Sequence, residues 1–131
     1  MKGYIFKLNQ NIPSKKNELR RGKYGNFYQA KQNELNDLVV SLKQQKRTWG
    51  MLRPLEGVVA VDIAVFGSDR ADLNNQISSL LDCLQEAEII SNDRNAKIIH
   101  AVKGKKAIPM CIINVWKCEP INWEKYNLGG S

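Results

Sequence analysis

The feature that most constrains the fold is the segment VVAVDIAVF (58–66), which is apolar at every position except Asp62. No part of the chain approaches the roughly 20 apolar residues needed to cross a bilayer, so this segment must be covered by protein. Because apolar residues occupy both alternating faces, the pattern predicts a strand that is buried on both sides. The chain must therefore provide other elements that pack around this strand.

Other patterned segments predict the elements that surround it. Five further elements follow from apolar periodicity, namely a strand over 3–8, a helix over about 30–45, a helix over about 74–87 and strands over 96–102 and 108–116. A Lys-Gly-Lys-Lys turn at 103–106 predicts that the last two strands form a hairpin.

The predicted class is α+β, in the order β-α-β-α-β-β, with about four strands in one sheet and two helices packed on it. A chain of 131 residues forms one domain, 1–131, in which 124–131 is predicted to be a flexible tail.

The charge favours an anionic partner. The net charge of +7 and the pI near 9.4 are typical of proteins that neutralise nucleic-acid phosphates. Five cations that are predicted to contact phosphates follow the first strand, namely Lys15, Lys16, Arg20, Arg21 and Lys23. Tyr24, Phe27 or Tyr28 either stack on an unpaired base or anchor this loop to the core; the second role is the commoner one for aromatic residues.

Several residue types argue against other functions. The N-terminal segment lacks the apolar run of a signal peptide, which predicts a cytoplasmic protein that is not attached to a membrane. Cys83, Cys111 and Cys118 form no CxxC pair and are interpreted as reduced thiols. The single histidine, His100, is interpreted as a strand residue rather than a ligand, and no organic cofactor is expected.

Polar residues flank the second predicted helix at both ends. Its apolar face is predicted to consist of Ile77, Leu80, Leu81 and Leu84. One of Asp72 and Asn74 can serve as the helix cap, and Asn92 and Asp93 can form a turn before the next strand. Taken together, however, carboxylates and amides at both helix ends also fit a divalent-metal site, because Mg²⁺ prefers oxygen ligands. Asp62 lies at a sheet edge, pairs with a base or faces that metal, and the pattern leaves all three open.

These residues resemble the signature of the RusA family of Holliday junction resolvases. The family pattern is D-L-D-N-x-x-K, followed by an Asp and a small-Leu pair on the same helix and by a D-D pair before the next strand. The corresponding residues are Asp72, Leu73, Asn74, Asn75, Gln76, Ile77 and Ser78, then Asp82, Cys83 and Leu84, and finally Asn92 and Asp93. The segment IPSKKNELRRGKYG is similar to the basic Pro-Ser-Asn loop of the family, so the resemblance covers essentially the whole chain.

The resemblance implies a bacterial or phage-encoded homodimer that hydrolyses phosphodiester bonds in four-way DNA junctions, during recombination and repair, with Mg²⁺ or Mn²⁺. The catalytic residues that it implies are Asp72, Asn75, Asp82 and Asp93. The metal ligands that it implies are Asp72, Asn74 and Asp93, and Lys15, Lys16, Arg20, Arg21 and Lys23 would bind the DNA.

Two signature positions depart from the family. Asn74 replaces an aspartate and Ser78 replaces the lysine, which weakens metal binding and removes a cation. Asp69 or Asp82 can substitute as a ligand, and Lys97 or Lys103 can substitute as a cation. Two hypotheses follow. The resemblance favours an active metal-dependent endonuclease whose site is rebuilt around Asp72, Asp82 and Asp93. The alternative is a branched-DNA binding protein that has kept the fold and lost most of its catalytic power.

Overall fold

The computed structural model describes residues 3–14, 25–67 and 71–119, and side chains of residues 25–31 are outside the description. The elements are β1 (Tyr4–Leu8), α1 (Gly25–Trp49), β2 (Val59–Phe66), α2 (Leu73–Glu86), β3 (Ala96–Gly104) and β4 (Met110–Lys117), with a short 3-10 helix (Asp93–Asn95) before β3. This order confirms the predicted α+β arrangement of two helices and four strands in a single small domain. The first helix begins five residues earlier and ends four residues later than the periodicity predicted.

The strands form one mixed sheet in the order β1-β4-β2-β3. β4 lies between β1 and β2 and is antiparallel to both, whereas β3 is parallel to β2. The predicted hairpin of the last two strands is therefore wrong, because β2 separates them. The turn between them instead carries the chain across one strand, and the polypeptide that joins β2 to β3 is the helical crossover that parallel pairing requires.

The core lies on one face of the sheet, where both helices pack. Alternate residues of the strands meet the apolar faces of α1 and α2 in one cluster, which includes Phe6, Leu38, Leu42, Val61, Leu80, Leu84 and Ile113. Cys83 and Cys111 are buried in this cluster and Cys118 is half-buried, as expected for reduced thiols. Burial raises the pKa of the Cys111 thiol to about 12, so this thiol stays protonated and unreactive at neutral pH.

The other face of the sheet is only partly covered by the described part of the chain, and of the β2 residues on that side Ala60 is the one that is fully buried, so the predicted cover on both sides is seen there alone. Asp62 and Ala64 of β2 are only half-buried there, and Val102 and Ile112 on the flanking strands are exposed. We call the side chains on this side the open face. Because a sheet with helices on one side only leaves the alternate residues of each strand in solvent, the apolar run of β2 marks a central strand rather than a strand enclosed on both sides.

The ends of α2 follow local backbone chemistry. Asp72 is the N-cap, and its side chain accepts a hydrogen bond from the backbone N–H of Asn74. At the other end Glu88 has a φ of 59°, and the N–H groups of Glu88 and Ile89 donate to the carbonyls of Gln85 and Leu84. This is a Schellman motif with glutamate in the left-handed position that glycine normally occupies.

Two polar side chains of α1 fix its C-terminal half against the edge strand β1. The amide of Gln45 bonds both the N–H and the carbonyl of Lys7, at 2.9 and 2.8 Å. The indole of Trp49 donates to the carbonyl of Ile5 and meets the ring of Tyr4 edge-on. Trp49 thus covers the backbone edge of β1 that faces away from β4. Neither described helix is long and apolar enough to span a membrane.

Candidate functional site

The N-terminal tip of α2 carries three of the signature residues. The side chains of Asp72 and Asn74 are exposed, and Asn75 is half-buried. One oxygen of Asp72 is used by the cap, at 3.0 Å from the N–H of Asn74. The tip follows the end of β2 and lies beside the end of β3, where Phe66 pairs with Gly104. The carboxyl ends of neighbouring parallel strands are where α/β proteins commonly bind ligands.

Lys103 supplies a cation to the same place. Its ammonium group donates to the carbonyl of Ala71, the residue immediately before the helix cap. Ser78, which stands at the lysine position of the signature, is exposed one turn farther along the helix. Of the two substitutes that the sequence left open, Lys103 therefore lies at the tip. Lys97, at the opposite end of β3, does not. We call Asp72, Asn74, Asn75 and Lys103 the helix-tip cluster.

Asp93 lies at the other end of α2. It opens the 3-10 helix that Asn92 caps, and its N–H donates to the side chain of Gln85 at 2.8 Å. The 14 residues of α2 separate this position from Asp72 by about 20 Å at 1.5 Å per residue. Within one protomer, Asp72 and Asn74 therefore cannot share an ion with Asp93, contrary to expectation. Asp72 and Asp93 flank the same helix in the sequence, but they lie at its opposite ends, and the length of the helix keeps them apart.

The remaining predicted site residues are dispersed. Asp82 is half-buried near the middle of α2, about 15 Å along the helix axis from Asp72. Within residues 3–14, 25–67 and 71–119, no group of three His, Cys, Asp or Glu side chains is placed to hold a metal ion. Asp69 and the five cations of the basic loop lie outside the described residues, as do Tyr24, the side chains of Phe27 and Tyr28, and the tail 124–131. The three ligands that the resemblance implies, Asp72, Asn74 and Asp93, are thus not brought together within the described part of one protomer.

The segment that leads into the basic loop is attached to α2. Gln76 is only 3% exposed, and its amide donates to the carbonyl of Ile12 at 3.0 Å. The apolar pattern missed this contact, because it placed the buried face at Ile77 and Leu81, both of which are half-buried. The Oγ of Ser14 and the Oε1 of Gln76 are also buried, and neither has a hydrogen-bond partner among the described residues. The chain therefore enters the basic loop within one helical turn of the helix-tip cluster.

A second polar group crosses the open face. Asp62 pairs in register with His100 on β3 and Asn114 on β4. The Nδ1 of His100 lies 3.1 Å from a carboxylate oxygen of Asp62, so the structure selects pairing with a base from the three alternatives for this acid. These residues border a cavity of about 230 Å³ that is lined also by Val102 and Ile112. Sequence patterns flagged the acid and the histidine separately, but only the register of parallel strands brings them together.

In comparisons with known proteins, no family model matches the chain, and no curated protein is significantly similar to it.

Proposed function

We propose that the protein is a RusA-like protein that binds branched DNA, four-way junctions in particular, as a homodimer. The observation that carries the proposal is the hydrogen bond between Gln76 and the carbonyl of Ile12. It ties the start of the basic loop to the end of the molecule that holds the helix-tip cluster. The segment that leads to the predicted phosphate-binding cations is thus attached to the helix that carries Asp72, Asn74 and Asn75, which supports a protein that acts on a DNA strand.

The charge of the molecule supports this partner. A net charge of +7 attracts a polyanion over a Debye length of about 10 Å and releases its condensed counterions on binding. Asp72 does not oppose this, because a single carboxylate that caps a helix is partly offset by the helix dipole and by nearby Lys103. Among the described residues, the helix tip thus holds one carboxylate and one ammonium group rather than an acidic patch.

Hydrolysis is the second candidate function, and the position of Lys103 favours it. Its ammonium group lies at the end of α2 that carries Asp72, where it can offset the charge of a phosphate in place of the missing signature lysine. Three features argue against full catalytic activity. Asn74 replaces a charged metal ligand, Ser78 replaces the signature lysine, and the length of α2 separates Asp72 from Asp93. The branched-DNA binding protein with reduced catalytic power is therefore the better supported of the two forms.

Binding and cleavage are separated by one pair of assays. We expect the protein to bind a fluorescent four-way junction at least about tenfold more tightly than linear duplex of the same sequence, a difference of about 1.4 kcal/mol. Denaturing gels of the same mixtures with Mg²⁺ or Mn²⁺ report hydrolysis. We expect cleavage to be slow, and to be lost in Asp72→Asn, since asparagine is an equally good helix cap but brings no charge.

The control for this variant is Asp37→Asn, which removes the same charge from an exposed position in α1. It is expected to leave both assays unchanged. Equal affinity for junction and linear duplex would contradict the proposal. Rapid metal-dependent cleavage by the unaltered protein would instead favour the resolvase over the binding protein.

The dimer is expected to form through the open face. Ile5 and Val102 are 54% and 61% exposed there, so contact between two copies would remove these apolar side chains from water. Light scattering after size exclusion should give twice the mass of one chain, and Val102→Glu should give the mass of one chain. A monomeric unaltered protein would contradict the homodimer.

A further inference from the structure

The C-terminal ends of α1 and α2 border a second cationic region, at the end of α2 opposite the helix-tip cluster. A cavity of about 320 Å³ lies between them, with Met51 in its lining. Three cations on its rim, Lys43, Lys46 and Arg47, follow one another at i, i+3 and i+4 and so share one face of α1. Glu88 is the one acid among the described residues that line the cavity.

These cations are not used by the fold. Within the described part of the chain, no ion pair engages Lys43, Lys46 or Arg47. The helix dipole accounts for Lys46 and Arg47, which lie in the last turn of α1, but not for Lys43 one turn earlier. Lys43 has like charges at both i+3 and i+4, which repel it, and an anionic ligand that bridges the three cations would offset this repulsion.

An exposed apolar side chain accompanies the cations. Leu52 lines the same cavity and is 93% exposed, although it is flanked by Met51, which packs against the core. Proteins that bend or open DNA often place one aliphatic side chain between cations and insert it at an unstacked base step. Together with the cations, Leu52 fits a nucleic-acid strand with a base turned outward.

We propose that Lys43, Lys46, Arg47 and Leu52, which we call the helix-end surface, form a second nucleic-acid contact in which the cations hold phosphates and Leu52 packs on a base. The inference rests on the proposed binding of branched DNA and adds a surface about 20 Å from the helix-tip cluster, the length of α2. One protomer then contacts DNA at both ends of this helix.

Phosphates of a lipid surface are a poorer match. A helix that binds a bilayer places its apolar face among the acyl chains. The apolar face of α1, which includes Leu35, Leu38 and Leu42, is buried in the core. Among the described residues, Val40 and Leu52 are single exposed apolar side chains near the cations and do not form a continuous apolar face. An acidic protein segment could pair with the three cations, but it has no base that could pack on Leu52. It is therefore tested as the competing partner.

The test is the salt dependence of junction binding, measured by fluorescence anisotropy between about 50 and 200 mM NaCl. In the triple variant Lys43→Gln, Lys46→Gln, Arg47→Gln, the slope of log K against log salt is expected to fall by about 2–3 units. The matched control, Lys7→Gln, Lys106→Gln, Lys117→Gln, removes the same charge from exposed positions on the strands and the β3–β4 turn. It is expected to lower the slope by less than about one unit.

Leu52→Ser tests the apolar contact and, at so exposed a position, leaves the fold intact. It is expected to keep the salt slope and to weaken junction binding by about tenfold. An unaltered slope in the triple variant would overturn the helix-end surface while junction binding itself stands. Failure of the unaltered protein to bind any junction would instead reject the proposed function. Equal binding of polyglutamate and junction DNA, with the same loss in the triple variant, would assign the surface to acidic partners and overturn the nucleic-acid contact.

Discussion

Gln76→Glu is expected to destabilise the protein by about 3–5 kcal/mol at neutral pH, as a buried charge without a partner does. Gln76 is 3% exposed and its amide is the donor to the carbonyl of Ile12. A carboxylate of the same shape cannot donate and instead places its charge against that carbonyl. The substitution thus converts the contact that holds the loop entrance onto α2 into a repulsive one.

The loss should depend on pH in a defined direction. Burial raises the folded-state pKa of the new glutamate above its unfolded value of about 4.3. Below that value both states are protonated, and the neutral acid can donate to Ile12, so the variant approaches the unaltered protein. As pH rises towards the folded-state pKa, the difference grows by about 1.4 kcal/mol per unit.

Urea unfolding of both proteins between about pH 4 and 8 measures this difference. The control is Gln44→Glu, an exposed position on α1, which should stay within about 0.5 kcal/mol at every pH. A pH-independent loss in Gln76→Glu would show that packing, rather than charge, dominates this site. Weaker junction binding at a pH where the variant is folded would connect the loop entrance with the proposed function.

Phe6→Ala is expected to cost about 3–5 kcal/mol, a large part of the 5–15 kcal/mol typical of a domain. Phe6 is fully buried in the core and lies in β1, opposite Ile113 of β4. Removing its ring leaves a void between the edge of the sheet and the helices, which the short strand cannot close by shifting because its backbone is fixed to Gln45.

Chemical denaturation again measures the effect, as a lower midpoint with an unchanged slope. Lys7→Ala is the matched control, since Lys7 is the next residue of the same strand and its side chain is exposed. A change of about 0.5 kcal/mol or less is expected there. A similar loss in both variants would indicate that β1 contributes through its backbone pairing and not through the ring.

Local chemistry determined the parts of the fold that the sequence predicts well. The cap at Asp72 and the apolar spacing of Leu80 and Leu84 involve residues within a few positions of one another, and both features are present. The strand VVAVDIAVF is also where the pattern placed it. Its open face was missed, because apolar residues on a central strand look the same whether one side or both are covered.

The errors concern contacts between residues that are distant in sequence. The hairpin was inferred from a turn that joins β3 to β4, but a turn does not exclude a third strand between its arms. Asp72 and Asp93 were joined because both flank one helix, and the length of that helix keeps them apart. The side of α2 that Gln76 occupies depends on the loop at Ile12, which no periodicity within α2 reports.

The placement of β4 between β1 and β2 has a consequence for biosynthesis. Within the described sheet, β1 pairs with β4 and no other strand. β1 therefore has no pairing partner until β4, which is synthesised after all the other described strands, becomes available. Until β4 is available for pairing, β1 and β2 both present unsatisfied backbone edges to solvent. Nascent chains that stop before residue 110 should consequently be captured by chaperones or cleared by proteases, whereas completion of β4 closes the sheet in a single step.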